Sequence, residues 1–165
     1  MGRKRKNDDA CRESVGVHGF FRLNIVEGNE VVGDSGWCKN QITNEGFRCF
    51  LVRLLGNAAN SSQVGFVGLG TGSVPGAAAT TLDGEIMSST KRTAVTFASN
   101  GSTTAEFTAT FSSSNSFISG NSNISNIGLF AATTNNATLF AGNTYTSSTL
   151  GTNQDVNVTY QIRFS

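Results

Sequence analysis

The stretch Val156-Asn157-Val158-Thr159-Tyr160-Gln161-Ile162-Arg163-Phe164 alternates apolar and polar residues without interruption. Successive side chains of a β-strand point to opposite faces, so the apolar residues of this stretch share one face and the polar residues share the other. One apolar and one polar face are typical of an antiparallel sheet that covers a core on one side and meets solvent on the other. The stretch therefore predicts a half-buried strand.

The same alternation recurs upstream, for example at Phe107, Ala109 and Phe111. Asn100-Gly101 precedes that run, and Asn-Gly is a strong indication of a hairpin turn. Closely spaced strands separated by turn residues predict a mainly β domain, an antiparallel β-sandwich or a flattened barrel. The predicted strands are 17–26, 31–32, 64–69, 93–98, 104–111, 124–131, 137–141 and 155–164.

One short α-helix is predicted over about residues 43–55. Its apolar residues recur at helical spacing and would form one stripe facing the sheet. Thr43 or Asn44 can cap its first turn, and Gly56-Asn57 suits a left-handed exit. Gly46 is expected to weaken the helix slightly. The predicted stripe consists of Phe47, Phe50, Leu51 and Leu54.

The length of 165 residues fits one domain with an appended arm. Residues 1–16 form a polar, basic N-terminal arm without an apolar period, and residues 17–165 form the β domain. The arm has no core of its own, so we expect a neighbouring subunit to order it. The formal net charge of +1 argues against a protein that coats nucleic acid, because such proteins are strongly basic.

The arm carries the predicted partner-binding residues. A short basic cluster can contact an acidic patch on a protein or the phosphates of a nucleic acid. Binding to phosphates normally uses more cationic contacts than this arm offers, which favours docking on a protein. The predicted partner-binding residues are Arg3, Lys4, Arg5, Lys6 and Arg12.

The cysteines Cys11, Cys38 and Cys49 are odd in number and widely spaced. This spacing predicts neither a disulfide framework nor a metal-binding pair. Free thiols indicate folding in a reducing cytoplasm. No stretch is apolar enough to predict a membrane span or the apolar core of a secretory signal, so we expect no membrane partner.

The sequence predicts no enzyme, no cofactor and no metal site. Gly68-Leu69-Gly70-Thr71-Gly72 has the wrong spacing for a dinucleotide loop and is not followed by the Gly-Lys-Ser/Thr of a P-loop, so it predicts a strand that ends in a tight turn. His18 is the only histidine, and no catalytic triad can be assigned around it. The carboxylates of Asp8-Asp9 and of Asp83 and Glu85 do not match a calcium-loop pattern and are expected in solvated loops.

The aromatic residues leave one binding hypothesis open. Trp37, Tyr145 and Tyr160 could stack on sugars, as aromatic side chains do in glycan-binding adhesins. The favoured interpretation places Trp37 in the core near the helix and Tyr160 on the buried face of the last strand, because buried aromatic residues are more common.

The run Val67-Gly68-Leu69-Gly70-Thr71-Gly72-Ser73-Val74-Pro75 leads to Thr80-Thr81-Leu82-Asp83-Gly84-Glu85 and then to Arg92. This arrangement resembles a motif in small structural proteins of tailed bacteriophages. There, a strand ends in a Gly-Thr-Gly turn that is followed by a proline, a Thr-x-Leu-x-x-Glu element and a β-rich half. The resemblance spans about residues 36–164. Further similar stretches are 36–40, the last strand, and 124–130 with Asn126-Ile127 where an acidic and a small residue are usual.

The resemblance implies a non-enzymatic virion component that is assembled in many copies on a head or a tail in the host cytoplasm. The first hypothesis is a capsid decoration, or cement, protein that binds the particle through its β domain and its N-terminal arm. Its partners would be the major capsid protein and copies of itself. The alternative within the same class is a tail or baseplate component, such as a fibre adaptor.

Overall fold

The computed structural model describes residues 14–59, 61–86, 92–134 and 137–165. In these ranges, antiparallel strands form one sheet that curls into a nearly closed barrel, which confirms the mainly β prediction. The strands are β1 (Val17–Glu27), β2 (Glu30–Asp34), β3 (Cys38–Ile42), β4 (Phe66–Gly70), β5 (Arg92–Ala94), β6 (Thr96–Asn100), β7 (Thr104–Phe111), β8 (Ser122–Phe130), β9 (Leu139–Leu150) and β10 (Asp155–Phe164).

The last strand, β10, lies between β1 and β7. Its Tyr160 pairs with Phe21 on β1 and with Phe107 on β7, so the three aromatic residues form one layer inside the barrel. The rings of Phe21 and Tyr160 lie 5.6 Å apart. The predicted apolar face is confirmed. Its buried members are Val156, Val158, Tyr160 and Ile162.

The barrel closes through one run of chain, residues 92–100, which changes partner at Val95. The sheet order is β5-β4-β8-β9-β3-β1-β10-β7-β6, so β5 and β6 are its two ends and are consecutive in sequence. β5 pairs with β4, Val95 donates its backbone N–H to Gly65, and β6 pairs only with β7. The side of β6 that faces away from β7 is therefore left without a strand partner within the described sheet.

One helix, α1 (46–55), covers the end of the barrel where β3 stops. Its first part, Gly46–Val52, is wound as a π-helix, and Arg53–Leu55 completes it as an α-helix. The hydroxyl of Thr43 accepts a hydrogen bond from the Gly46 N–H at 2.9 Å and donates one to the Leu139 carbonyl at 2.6 Å. The predicted Thr43 cap is thus confirmed, and it also ties the helix to the start of β9.

The helix departs from its prediction in its buried stripe. Phe50 is buried, whereas Phe47 and Leu54 are exposed although all three belong to the predicted stripe. A π-helix turns through more residues than an α-helix, so side chains at α-helical spacing no longer share one face. The predicted left-handed exit is found at Asn57, which has φ 45°.

The long connection between β4 and β5 packs on the outside of the barrel. Its Leu82 joins Phe130 and Leu139 in a second apolar cluster, separate from the interior core. This cluster covers the outer face of β4 and β8, which explains why the β4 stretch is apolar on both faces. In the described part of the chain, no helix is long and apolar enough to cross a membrane.

Candidate functional site

The predicted partner-binding residues of the arm fall outside the described residues, because the description begins at Ser14. The arm joins the barrel at a defined place. Gly16 and Ser165 exchange backbone hydrogen bonds at 2.7 and 3.0 Å, which extends the pairing of β1 with β10 by one step. The arm therefore starts from the end of the barrel that α1 covers.

The Gly-Thr-Gly run turns as predicted and is held by hydrogen bonds within the connection. Thr71 and Gly72 donate their backbone N–H groups to Gly84 and Asp83, at 3.0 and 3.2 Å. The Asp83 carboxylate accepts bonds from the Ser73 backbone N–H and hydroxyl, both at 2.8 Å. These bonds lower the pKa of Asp83. The carboxylate is thus used to fold the loop.

Asn126, on β8, fixes the same connection from the sheet side. Its amide nitrogen donates to the carbonyls of Ser73 at 3.1 Å and Asp83 at 2.8 Å. A Cβ atom added at Gly70 would lie 2.3 Å from the Asn126 Oδ1. Gly70 is therefore required because Asn126 occupies the space of a side chain. The Asp83 carboxylate and the Asn126 amide nitrogen are thus held by hydrogen bonds within the connection.

Arg92 and Glu85 form a buried ion pair beneath the connection. Arg92 Nε and Nη2 donate to the two Glu85 carboxylate oxygens at 2.6 and 2.9 Å, and Nη1 donates to the carbonyls of Ala132 and Thr134 at 2.8 Å. The guanidinium lies 3.5 Å from the centre of the Phe130 ring. Because the Arg92 side chain is 1% exposed, the pair joins the connection to the second cluster and is not a surface site.

The structure assigns ordinary roles to the remaining titratable candidates. His18 is exposed, and its Nε2 lies 3.3 Å from the hydroxyl of Ser165. The described residues contain no group of three His, Cys, Asp or Glu side chains that could hold a metal ion. Cys38 and Cys49 are free thiols, and burial raises the pKa of Cys49, which makes it a weaker nucleophile.

The three aromatic residues of the sugar-binding hypothesis lie in different places. Tyr160 is fully buried, as expected, and donates its hydroxyl to Asn40 Oδ1 at 3.1 Å. Burial raises the pKa of Tyr160 and of Tyr145. The expectation that Trp37 anchors the core is wrong, because its side chain is 47% exposed. The Arg163 guanidinium lies 5.9 Å from the Trp37 ring, on the outer face of the barrel.

The barrel has an apolar opening beside the unpaired side of β6. A groove of about 410 Å³ lies there, between α1, the chain at 62–64 and the strands β6, β7 and β10. Phe107 and Ile162 from the interior core contribute to its floor, so the groove leads from the surface into the core. Its aromatic lining residues are Phe50, Phe97, Phe107, Phe140 and Phe164.

Exposed apolar side chains lie on both elements that border this groove. On the helix, Leu54 lines the groove and is half exposed, and Val52 and Leu55 are exposed elsewhere on the same helix, Leu55 at 91%. On the strand side, Phe97 is 61% exposed, although its ring lies 5.5 Å from that of the buried Phe107. We call the surface formed by Val52, Leu54, Leu55 and β6 the seam surface. A set of adjacent exposed apolar residues is typical of a site that binds another macromolecule.

The seam surface lies at the end of the barrel where Gly16, the last residue of the arm, joins the sheet. Phe164 lines the groove and pairs with Val17, the first residue of β1, directly after the residue at which the arm joins the sheet. The residues that could contact a partner are therefore gathered at this end.

The sequence predicted partner binding by the arm, which stays a prediction, and it did not predict the seam surface. Residues 50–55 are apolar at every position except Arg53, which exceeds what one buried stripe requires. This excess was the signal for an exposed apolar helix face. The exposure of Phe97 had no comparable signal, because Thr96-Phe97-Ala98 looks like any half-buried strand.

Comparison with protein-family models, curated proteins and solved structures finds no match for this chain.

Proposed function

We propose that this protein is a non-catalytic structural subunit of a tailed-phage particle, a capsid decoration protein that is bound in many copies through its β domain and its N-terminal arm. The observation that carries the proposal is that the seam surface lies at the same end of the barrel as Gly16, where the N-terminal arm is attached. A subunit that acts by binding needs an apolar surface that partners can bury and a segment that can reach a neighbour.

The use of the polar residues supports the same function. Asp83 and Glu85 were the densest pair of carboxylates in the domain, and both are occupied in folding the connection. Asn126 and Arg92 are occupied there too. Active sites place titratable groups where a substrate can reach them, with neighbours that shift their pKa toward the working pH. These residues instead stabilise the connection that packs on the outside of the barrel.

We expect removal of residues 2–13 to abolish particle binding and to leave the domain folded. The deletion keeps Gly16, whose hydrogen bonds to Ser165 close the end of the sheet. Purified particles stripped of the subunit are mixed with full-length or truncated protein and sedimented, and the bound fraction is quantified. The far-ultraviolet circular dichroism and the thermal midpoint of the truncated protein should match those of the full chain.

A matched variant separates the charge of the arm from its length. Replacement of Arg3, Lys4, Arg5 and Lys6 by glutamine keeps the chain length, and it should weaken binding if the arm contacts an acidic patch. Truncated protein that occupies particles as fully as the intact chain would refute the role of the arm. A copy number per particle that fits the tail and not the shell would assign the protein to the tail or baseplate.

A glycan-binding module is the second candidate, because Trp37 is exposed beside Arg163. An exposed tryptophan next to polar groups can stack on a sugar ring. Tyr160 is buried, however, and Tyr145 packs against Phe21, so Trp37 would bind without the two tyrosines. A glycan array compares the intact protein with Trp37→Ala. Binding that disappears in the variant would support this function, and an array without hits would end it.

A further inference from the structure

We propose that the seam surface is the contact between two copies of this chain, joined by antiparallel pairing of β6 with β6 of the second copy across a two-fold axis. The inference rests on the proposed function only in assigning this surface to assembly. Its occupant is a second copy, and the pairing would exist in solution without any particle.

The unpaired edge of β6 lacks the features that usually protect an edge strand. Thr96-Phe97-Ala98-Ser99-Asn100 is exposed along its whole length and contains no charged residue and no proline. Proteins normally protect a free edge with charges, prolines or bulges, because its unpaired N–H and C=O groups bind other strands. The exposed strand β2 has such protection, since it carries Glu30 and Asp34 and its pairing with β1 is interrupted by a register shift. The unpaired N–H and C=O groups of β6 are therefore open to pairing with another strand.

The sequence of β6 allows it to pair with β6 of a second copy. Antiparallel pairing about an axis at Ala98 would place Ala98 opposite Ala98 of the second copy, and Phe97 opposite Ser99. A charged residue at the axis would face its own like charge, which destabilises a strand pair. β6 has none. Pairing with a second β6 satisfies the β6 edges of both copies at once, whereas pairing with a different strand would leave the β6 edge of the partner open.

The seam surface also exposes apolar side chains that a second copy could bury. The exposed parts of Val52, Leu54, Leu55 and Phe97 sum to on the order of 300 Å². A standard interface takes roughly 800 Å² from each partner, of which little more than half is apolar. The four side chains thus supply a large share of the apolar part, and the backbone of β6 and the lining of the groove add to it. In such a dimer Phe97 of the second copy would pack next to this groove, which the chain's own Phe97 helps to line.

The test is the oligomeric state of the purified protein, measured by sedimentation velocity at several micromolar concentrations. The wild-type chain should sediment as a dimer. Phe97→Asp places a carboxylate in the apolar contact and should weaken dimerisation more than tenfold, because the charge must lose its hydration there. The variant should remain folded, since Phe97 is already 61% exposed. Val32→Asp changes a similarly exposed side chain, at 53%, on β2 and should leave the dimer intact.

A charge-pairing experiment tests the two-fold geometry itself. Ala98→Lys and Ala98→Glu should each form weaker dimers at low ionic strength, and a mixture of the two should form the heterodimer in preference to either homodimer. A monomeric wild-type chain would overturn the inference, as would equal effects of Phe97→Asp and Val32→Asp or a mixture without heterodimer preference. Particle binding is a separate measurement, so a dimer that binds no particle would refute the proposed function and leave this inference standing.

Discussion

Replacement of Arg92 by methionine is expected to destabilise the fold by about 3–5 kcal/mol, because it leaves the Glu85 carboxylate buried without its partner. The same change removes two hydrogen bonds to the carbonyls of Ala132 and Thr134 and the contact with the Phe130 ring. Urea unfolding followed by tryptophan fluorescence measures the loss as a shift of the midpoint.

Two further variants show whether burial is the cause. Changing Glu85 to methionine as well removes the unpaired charge, so the double variant should recover a large part of the lost stability. Arg22→Met breaks an exposed ion pair with Asp34. Because solvent-exposed ion pairs contribute little to stability, the urea midpoint of this variant should stay nearly unchanged. Equal losses for Arg92→Met and Arg22→Met would contradict the assignment of the Arg92 pair as a buried anchor.

Replacement of Gly46 by alanine should destabilise the protein by about 1–3 kcal/mol or more, although alanine is the better helix former. The added Cβ would lie 2.1 Å from the Phe140 carbonyl oxygen and 3.1 Å from the Ile42 side chain. The carbonyl belongs to the backbone at the start of β9, so helix and strand would have to separate. Thermal unfolding monitored by circular dichroism measures the effect.

Gly56→Ala is the matched control for Gly46→Ala. A Cβ at Gly56 would meet its nearest atoms at 3.7 and 3.9 Å, which is ordinary contact. The substitution should leave the melting temperature unchanged or raise it slightly, because alanine loses less backbone entropy on folding. A Gly46→Ala protein as stable as the Gly56→Ala protein would show that α1 does not pack closely against β9.

The strands that alternate strictly were predictable, whereas β3 and most of β9 were not. β10 and β7 each have one core face and one solvent face, and their sequences show this as an alternation of apolar and polar residues. β3 reads Cys38-Lys39-Asn40-Gln41-Ile42, and no prediction included it. Its Asn40 lies inside the barrel because Gly19 opposite has no side chain and because Tyr160 donates a hydrogen bond to it. A tertiary contact thus overrides the polar character of the strand.

β9 shows the same limit at a strand end. The prediction stopped at Ala141, whereas the strand continues to Leu150 through asparagine, threonine and serine. Asparagine has little preference of its own for the sheet, and this run does not alternate apolar with polar residues, so pairing with β8 holds it there. Residues 93–98 were predicted as one strand, and the structure divides that run at Val95 because its two halves have different partners.

The candidate site was predictable only in part. The basic arm is visible as a cluster of charges in the sequence. The seam surface depends on the π-helical winding of α1 and on the place where the barrel stays open, and both arise from packing between distant parts of the chain. A pattern of apolar residues shows how much surface could be buried but does not show which of it the fold leaves exposed.

We propose that this protein works by binding to copies of itself and to a particle. The most direct measurement is an image reconstruction of purified particles at a resolution that resolves strands. It should show this barrel in many symmetry-related copies on the shell, with the end that carries α1 and the arm in contact with neighbouring subunits. A particle surface without this barrel, or barrels whose α1 end faces solvent, would contradict the claim.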